Sequence, residues 1–116
     1  MKFTFIQPAS FVTEWHRLGL SDGDLRALEN AIMDQPDVGK VMAGTGGLRK
    51  MRFAPPSRHV GKSGAMRVGY LCLAEFDRIY LLVIFPKNER QNLSPAERQY
   101  FRKWIDYVRW QVENEE

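Results

Sequence analysis

The stretch RIYLLVIF, Arg78 to Phe85, carries apolar side chains at every position after the first. A strand with one face in water alternates apolar and polar residues, because successive side chains point to opposite sides. A run that is apolar on both parities reads instead as a strand covered above and below by packed layers. The AEFDR segment that leads into it, Ala74 to Arg78, suits a hairpin turn, and a second strand candidate, Ala65 to Glu75, precedes that turn. A third candidate, Leu48 to Ala54, lies upstream of PPSRHVGKSG, a loop in which two prolines and two glycines forbid regular structure.

The flanks supply helices. In SPAERQYFRKWIDYVRW, Ser94 reads as an N-cap, Pro95 as the first helical residue and Glu97 as the partner in a capping box. Phe101, Trp104, Ile105, Val108 and Val112 then trace a helical stripe that predicts packing on the sheet. At the other end, KFTFIQ alternates as a short strand that Pro8 ends. A helix from Ser10 to Gly19 follows, on the spacing of Phe11, Trp15 and Leu18. Ser21 with Asp24 opens a second, carrying Leu25, Leu28 and Ile32 and ending near Gln35 before Pro36. Residues 37–47 are expected to be a glycine-rich connection. The order β-α-α-β-β-β-α predicts an α+β fold, a largely antiparallel sheet with two N-terminal helices and a C-terminal helix.

With 116 residues the chain is long enough for a hydrophobic core and too short for two, so residues 1–116 are expected to form one domain. The single cysteine, Cys72, has no partner for an internal disulfide. The opening MKFTFIQPAS lacks the apolar core of a secretion signal, and no apolar run is long enough to span a bilayer, which predicts a cytoplasmic location and no membrane partner.

The net charge of +3 conceals a division along the chain. Between Val38 and Ala74 there is no Asp or Glu, while Lys40, Arg49, Lys50, Arg52, Arg58, Lys62 and Arg67 supply seven positive charges. Since the whole chain has 17 basic and 14 acidic residues, the remainder carries 10 against 14, a balance of −4. Such asymmetry within one domain predicts a local positive field, for which a phosphate backbone is the commonest partner and a solvated basic face the alternative.

Other chemistries fall away. His16, His59 and Cys72 are too scattered for a zinc site, so neither metal nor cofactor is expected. VGKSG has Pro56 where a phosphate-binding loop needs its first glycine. Parity sharpens the basic segment, because Lys50 and Arg52 point to one face while Met51 and Phe53 point to the other. Arg49 shares the core parity but has a stem long enough to reach solvent. In the next strand Val68, Tyr70 and Cys72 form an inward row and Arg67 opposes them, so pairing of the two strands would join Arg67 to Lys50 and Arg52. Gly69 beside it would leave room for a ligand against the backbone. Cleaving RNA through its 2′-hydroxyl requires a base, an acid and charge stabilisation at the phosphate. Arginine suits the last task, and lysine can move a proton where neighbouring cations disfavour its charged form, as Arg49 and Arg52 do beside Lys50. His59 is the alternative for proton transfer.

The ordered set GTGGLRKMRFA, the GKSG loop, RVGY, IYLLVIFPKNE and LSPAER resembles the RelE/ParE superfamily of bacterial type II toxins, and most closely its HigB-type branch. The resemblance covers nearly the whole chain. It implies a RelE-like compact fold and a toxin that acts at the ribosome as an endoribonuclease on translated mRNA, without a metal. A helix-turn-helix, HigA-like antitoxin would neutralise it, and no direct DNA binding by the toxin alone is implied. The family's central-strand lysine and arginine match Lys50 and Arg52, its arginine on the next strand matches Arg67, and its basic residue after the apolar strand matches Lys87. Arg49, Arg58, His59 and Lys62 are expected to contact RNA around them. Asn88 stands where RelE has an arginine, and Leu93 and Ser94 occupy the region of its aromatic, which leaves the base and acid unassigned. The superfamily also contains ParE-like toxins that poison DNA gyrase by contact, and a catalytically inactive relative that binds only RNA or antitoxin is a third reading.

Overall fold

The computed structural model describes residues 2–58 and 65–115. Along the chain run β1 (Thr4–Ile6), α1 (Ala9–Arg17), α2 (Asp22–Asp34), β2 (Lys40–Val41) and β3 (Arg49–Phe53), then β4 (Met66–Leu73), a 3-10 turn (Ala74–Phe76), β5 (Arg78–Pro86) and α3 (Pro95–Glu113). The five strands form one mixed sheet in the order β1-β5-β4-β3-β2, in which β1 runs parallel to β5 and every other pair is antiparallel.

β5 is buried on both faces, as its apolar run predicts. Ile79, Leu81 and Ile84 pack with Phe11, Trp15, Leu28 and Ile32 of α1 and α2, while Tyr80, Leu82 and Phe85 pack with Ile105, Val108 and Val112 of α3. The register against β4 slips between Gly69 and Tyr70, so Leu82 has no partner there and both Leu82 and Val83 turn toward the α3 side. β4 is covered twice as well. Val68 and Tyr70 lie under α1 and α2, and Leu71 and Leu73 lie under α3, so only the part of its second face that begins at Arg67 is left for a site.

The helices differ from expectation in position and in grouping. α1 starts at Ala9 and stops at Arg17, before Gly19, because Pro8 takes the N-cap without a side-chain hydrogen bond and the chain turns left-handed at Gly19 (φ 72°). α1 and α2 share one face of the sheet and α3 alone takes the other. Both predicted capping boxes are present: Ser21 with Asp24 on α2, and Ser94 with Glu97 behind Pro95 on α3.

The connection expected over residues 37–47 contains the edge strand β2, which pairs Lys40 with Lys50 and Val41 with Arg49. The turn that follows uses Gly46 and Gly47 at φ 78° and 130°, values that residues with a Cβ rarely adopt. The buried Thr45 hydroxyl locks it, donating to the Met42 carbonyl and accepting from the Leu48 N–H. The turn thereby delivers β3 into the sheet. Among the described residues no helix is long and apolar enough to cross a membrane.

Candidate functional site

Antiparallel register determines which cations share a face, since directly opposed residues project to the same side. Lys40 stands opposite Lys50 across β2 and β3, and Arg52 stands opposite Arg67 across β3 and β4. Lys50 and Arg52 lie two apart on β3 and so share that side. Four cations therefore occupy one corner of the sheet, on the face that α3 covers further along. With Val38 and Met51 they line a recess of about 630 Å³.

Among the described residues none of these four cations forms an ion pair. The five ion pairs among the described residues lie elsewhere and engage Arg17, Arg78, Arg90 and Arg102. Nη1 of Arg67 is withdrawn from solvent and has no hydrogen-bond partner among the described residues. A buried donor on a charged group costs free energy unless something accepts from it, and an oxygen entering the corner can do so. Among the described residues the side chain that hydrogen-bonds to the cluster is neutral: Asn92, in the loop between β5 and α3, accepts a 2.8 Å hydrogen bond from the Lys50 ammonium. Four cations around one recess offer charge and donors to an anion, and two guanidiniums opposed across a strand pair suit a group with several oxygens, such as a phosphate.

Not every expected residue joins them. Arg49 lies on the opposite face, where its guanidinium donates to the Gly39 carbonyl at 2.7 Å and to that of Asp37 at 3.4 Å, holding the turn before β2. Tyr70 clamps the same turn, its hydroxyl donating to the Pro36 carbonyl and accepting from the Gly39 N–H. Arg58 donates to the Leu18 carbonyl at the C-terminus of α1, on the α1/α2 side. His59 and Lys62 lie outside the described residues. Lys87 follows the end of β5, and its N–H donates to the Ala65 carbonyl, placing its backbone beside the start of β4, two residues before Arg67.

Gly69 corrects the expectation that its missing side chain makes room for a ligand. It is buried, and a Cβ there would lie 2.6 Å from Cγ1 of Val83 and 3.4 Å from Cδ1 of Leu48, so the protein's own side chains take that space. Lys40 and Asn92 are the site residues that the sequence reading did not single out. The signal for Lys40 was its place in the acid-free segment; Asn92 carried none.

Two further places on the molecule lack such an array of free charges. Cys72 is half-buried, and burial pushes its thiol above the usual range, which suits a packed sulfur and not a nucleophile. A second cleft, about 500 Å³, lies between α1, β5 and α3 and is largely apolar, with Phe11, Ile84, Tyr100, Phe101 and Trp104 among its lining. The charged groups lining it, Glu14, Arg90 and Glu97, are already paired, Glu14 with Arg17 and Arg90 with Glu97, leaving none free for chemistry. Compared with models of known protein families, the chain matches none.

Proposed function

We propose that the protein is the toxin of a type II toxin–antitoxin pair, a ribosome-dependent endoribonuclease that holds a phosphate of translated mRNA on Lys50, Arg52 and Arg67. The observation that carries this reading is the corner of Lys40, Lys50, Arg52 and Arg67, which among the described residues has no carboxylate partner and holds a buried guanidinium nitrogen of Arg67 without a hydrogen-bond partner. Attack of the 2′-hydroxyl on the adjacent phosphorus releases the hydroxyl proton to a base. The 5′-oxygen leaves with a proton from an acid, and a 2′,3′-cyclic phosphate remains. The transition state gathers negative charge on the non-bridging oxygens, and fixed guanidiniums stabilise that charge without reorganising. Arg67 and Arg52 take this role, and Lys50 contributes its charge beside them. The resemblance of the ordered motifs to the RelE/ParE superfamily and its HigB-type branch supports the same reading, and it brings a HigA-like helix-turn-helix antitoxin as the expected partner.

The test is induction of the protein in growing bacteria with mapping of 5′ ends on translated messages. Cleavage within translated regions is expected. Arg67→Ala and Lys50→Ala should each lower cleavage by about a hundredfold, the order found when one transition-state donor is removed, while thermal melting stays at the parent value. Growth arrest with intact messages would refute the nuclease reading in favour of a contact poison of the ParE kind. Unaffected growth would point to a relative that only binds RNA or antitoxin.

A further inference from the structure

Asn92 sits two residues before the α3 N-cap Ser94, in a loop that its neighbours hold down. Leu93 is buried in the core under α3. Arg90 pairs with Glu97 and lays its guanidinium over the Phe85 ring, 4.6 Å from the centroid. Glu89 pairs with Arg17 of α1 at 3.3 Å. The carboxamide of Asn92 is thus presented to Lys50 from an anchored loop, 42 residues away in sequence.

The chemistry of that contact is one-sided. An ammonium has three donors and no acceptor, so the amide must turn its oxygen to Lys50. Its Nδ2, the other end, has no partner among the described residues and brings no negative charge to the cations beside it. A lysine has four rotatable methylenes and loses freedom when a ligand fixes its ammonium, and an acceptor that holds it beforehand removes part of that cost. A carboxylate at this position would hold the ammonium as well and would also cancel one of the four charges. Resting on the nucleic-acid reading above, we infer that Asn92 is a positioning residue: it aims Lys50 at the bound phosphate while leaving the charge of the corner whole.

The two functions of the amide, holding and staying neutral, are separated by two substitutions in the full chain. Asn92→Ala removes the hold and keeps the charge. Asn92→Asp keeps the hold and cancels a charge. The probe is a short, fluorescently labelled single-stranded polyuridine, with binding followed by anisotropy over a range of salt concentrations and thermal melting as the structural control. For Asn92→Ala the expected result is about fivefold weaker binding with an unchanged salt slope, from the freed side chain. For Asn92→Asp it is about tenfold weaker binding at low salt, and a slope of log K against log[salt] shallower by about 0.7, the value for one lost phosphate contact on a single strand. An Asn92→Asp slope equal to that of the parent overturns the inference. So do equal losses in both variants that track a lowered melting temperature, because a residue that merely ties down the loop would give that pattern. Absence of polyuridine binding by the parent chain at low salt overturns the nucleic-acid reading itself, and the role of Asn92 falls with it. Parent binding with both variants indistinguishable from it overturns the role of Asn92 alone.

Discussion

Acidification should weaken the fold through Asp24, by an amount the structure sets. The side chain is 1% exposed, yet it is placed to be charged. Its Oδ1 accepts from the Ser57 N–H at 3.0 Å, and its Oδ2 accepts from the Ser21 N–H at 2.9 Å and from the Ser57 hydroxyl at 2.5 Å. Burial alone would raise the carboxyl pKa, but the donors on Ser21 and Ser57 outweigh it and hold the value at about 2, against an ordinary 3.8. A folded-state pKa below the unfolded one stabilises the protein at pH above the unfolded value, and the stabilisation is lost as pH falls through the folded value. The difference in proton affinity corresponds to roughly 2 kcal/mol, present above about pH 4 and mostly gone near pH 2. Urea unfolding of the parent and of Asp24→Asn between pH 7 and pH 2 isolates this contribution. Asparagine keeps one acceptor but presents an NH₂ to donors, so the variant should be less stable by roughly 2–3 kcal/mol at pH 7. The gap should narrow by roughly 2 kcal/mol as the parent's carboxyl protonates. A gap that stays constant across this range would show that the charge of Asp24 contributes nothing and would refute the reasoning.

Other substitutions test the placement of the site and the packing beneath it. Arg49→Ala should lower stability by about 1 kcal/mol, through loss of its bonds to the turn at 37–39, and leave the salt slope of polyuridine binding at the parent value. Lys50→Ala should do the reverse, and equal slopes in the two variants would mean that the faces have been assigned wrongly. Gly69→Ala drives a methyl against Val83 and should cost about 1–3 kcal/mol in chemical denaturation; a second substitution, Val83→Ala, should recover part of that loss, and no recovery would disprove the contact. Tyr70→Phe leaves the buried Gly39 N–H without its acceptor and should cost about 1–3 kcal/mol, with hydrogen exchange of that amide accelerated.

The sequence disclosed what depends on local chemistry. Hydropathy on both parities from Ile79 to Phe85 sufficed for a strand between two layers, and the spacing of Ser21 with Asp24 and of Ser94 with Glu97 sufficed for two helix starts. Alternation within Arg49–Phe53 separated Lys50 and Arg52 from Met51 and Phe53, which is most of the corner. What could not be read depends on pairing. Lys40 and Val41 are too few to show a periodicity, and only the partners Lys50 and Arg49 make them a strand. Arg49 finds its acceptors on a turn whose shape is not written in its own neighbours. The space beside Gly69 is filled by Val83 because the register slips there, and a slip of one residue leaves no compositional trace. Asn92 is one polar residue among several in an exposed loop, and its contact with Lys50 exists only once β3 and α3 are in place.

β1 completes one edge of the sheet by pairing Thr4, Phe5 and Ile6 with Arg78, Ile79 and Tyr80. The consequence is an order of events during synthesis. The N-terminal strand and the two helices that follow leave the ribosome long before β5, the strand that β1 pairs with and the helices pack on, and at translation rates of about 5–20 residues per second that interval lasts several seconds. Throughout it Phe11, Trp15, Leu28 and Ile32 have no β5 to cover them. Pairings this distant along the chain are slow to close, because the loop entropy is spent before any contact repays it. The last strand to emerge therefore governs when the chain first becomes a folded protein. Chains interrupted before Phe85 should be held by chaperones or degraded and should accumulate no activity.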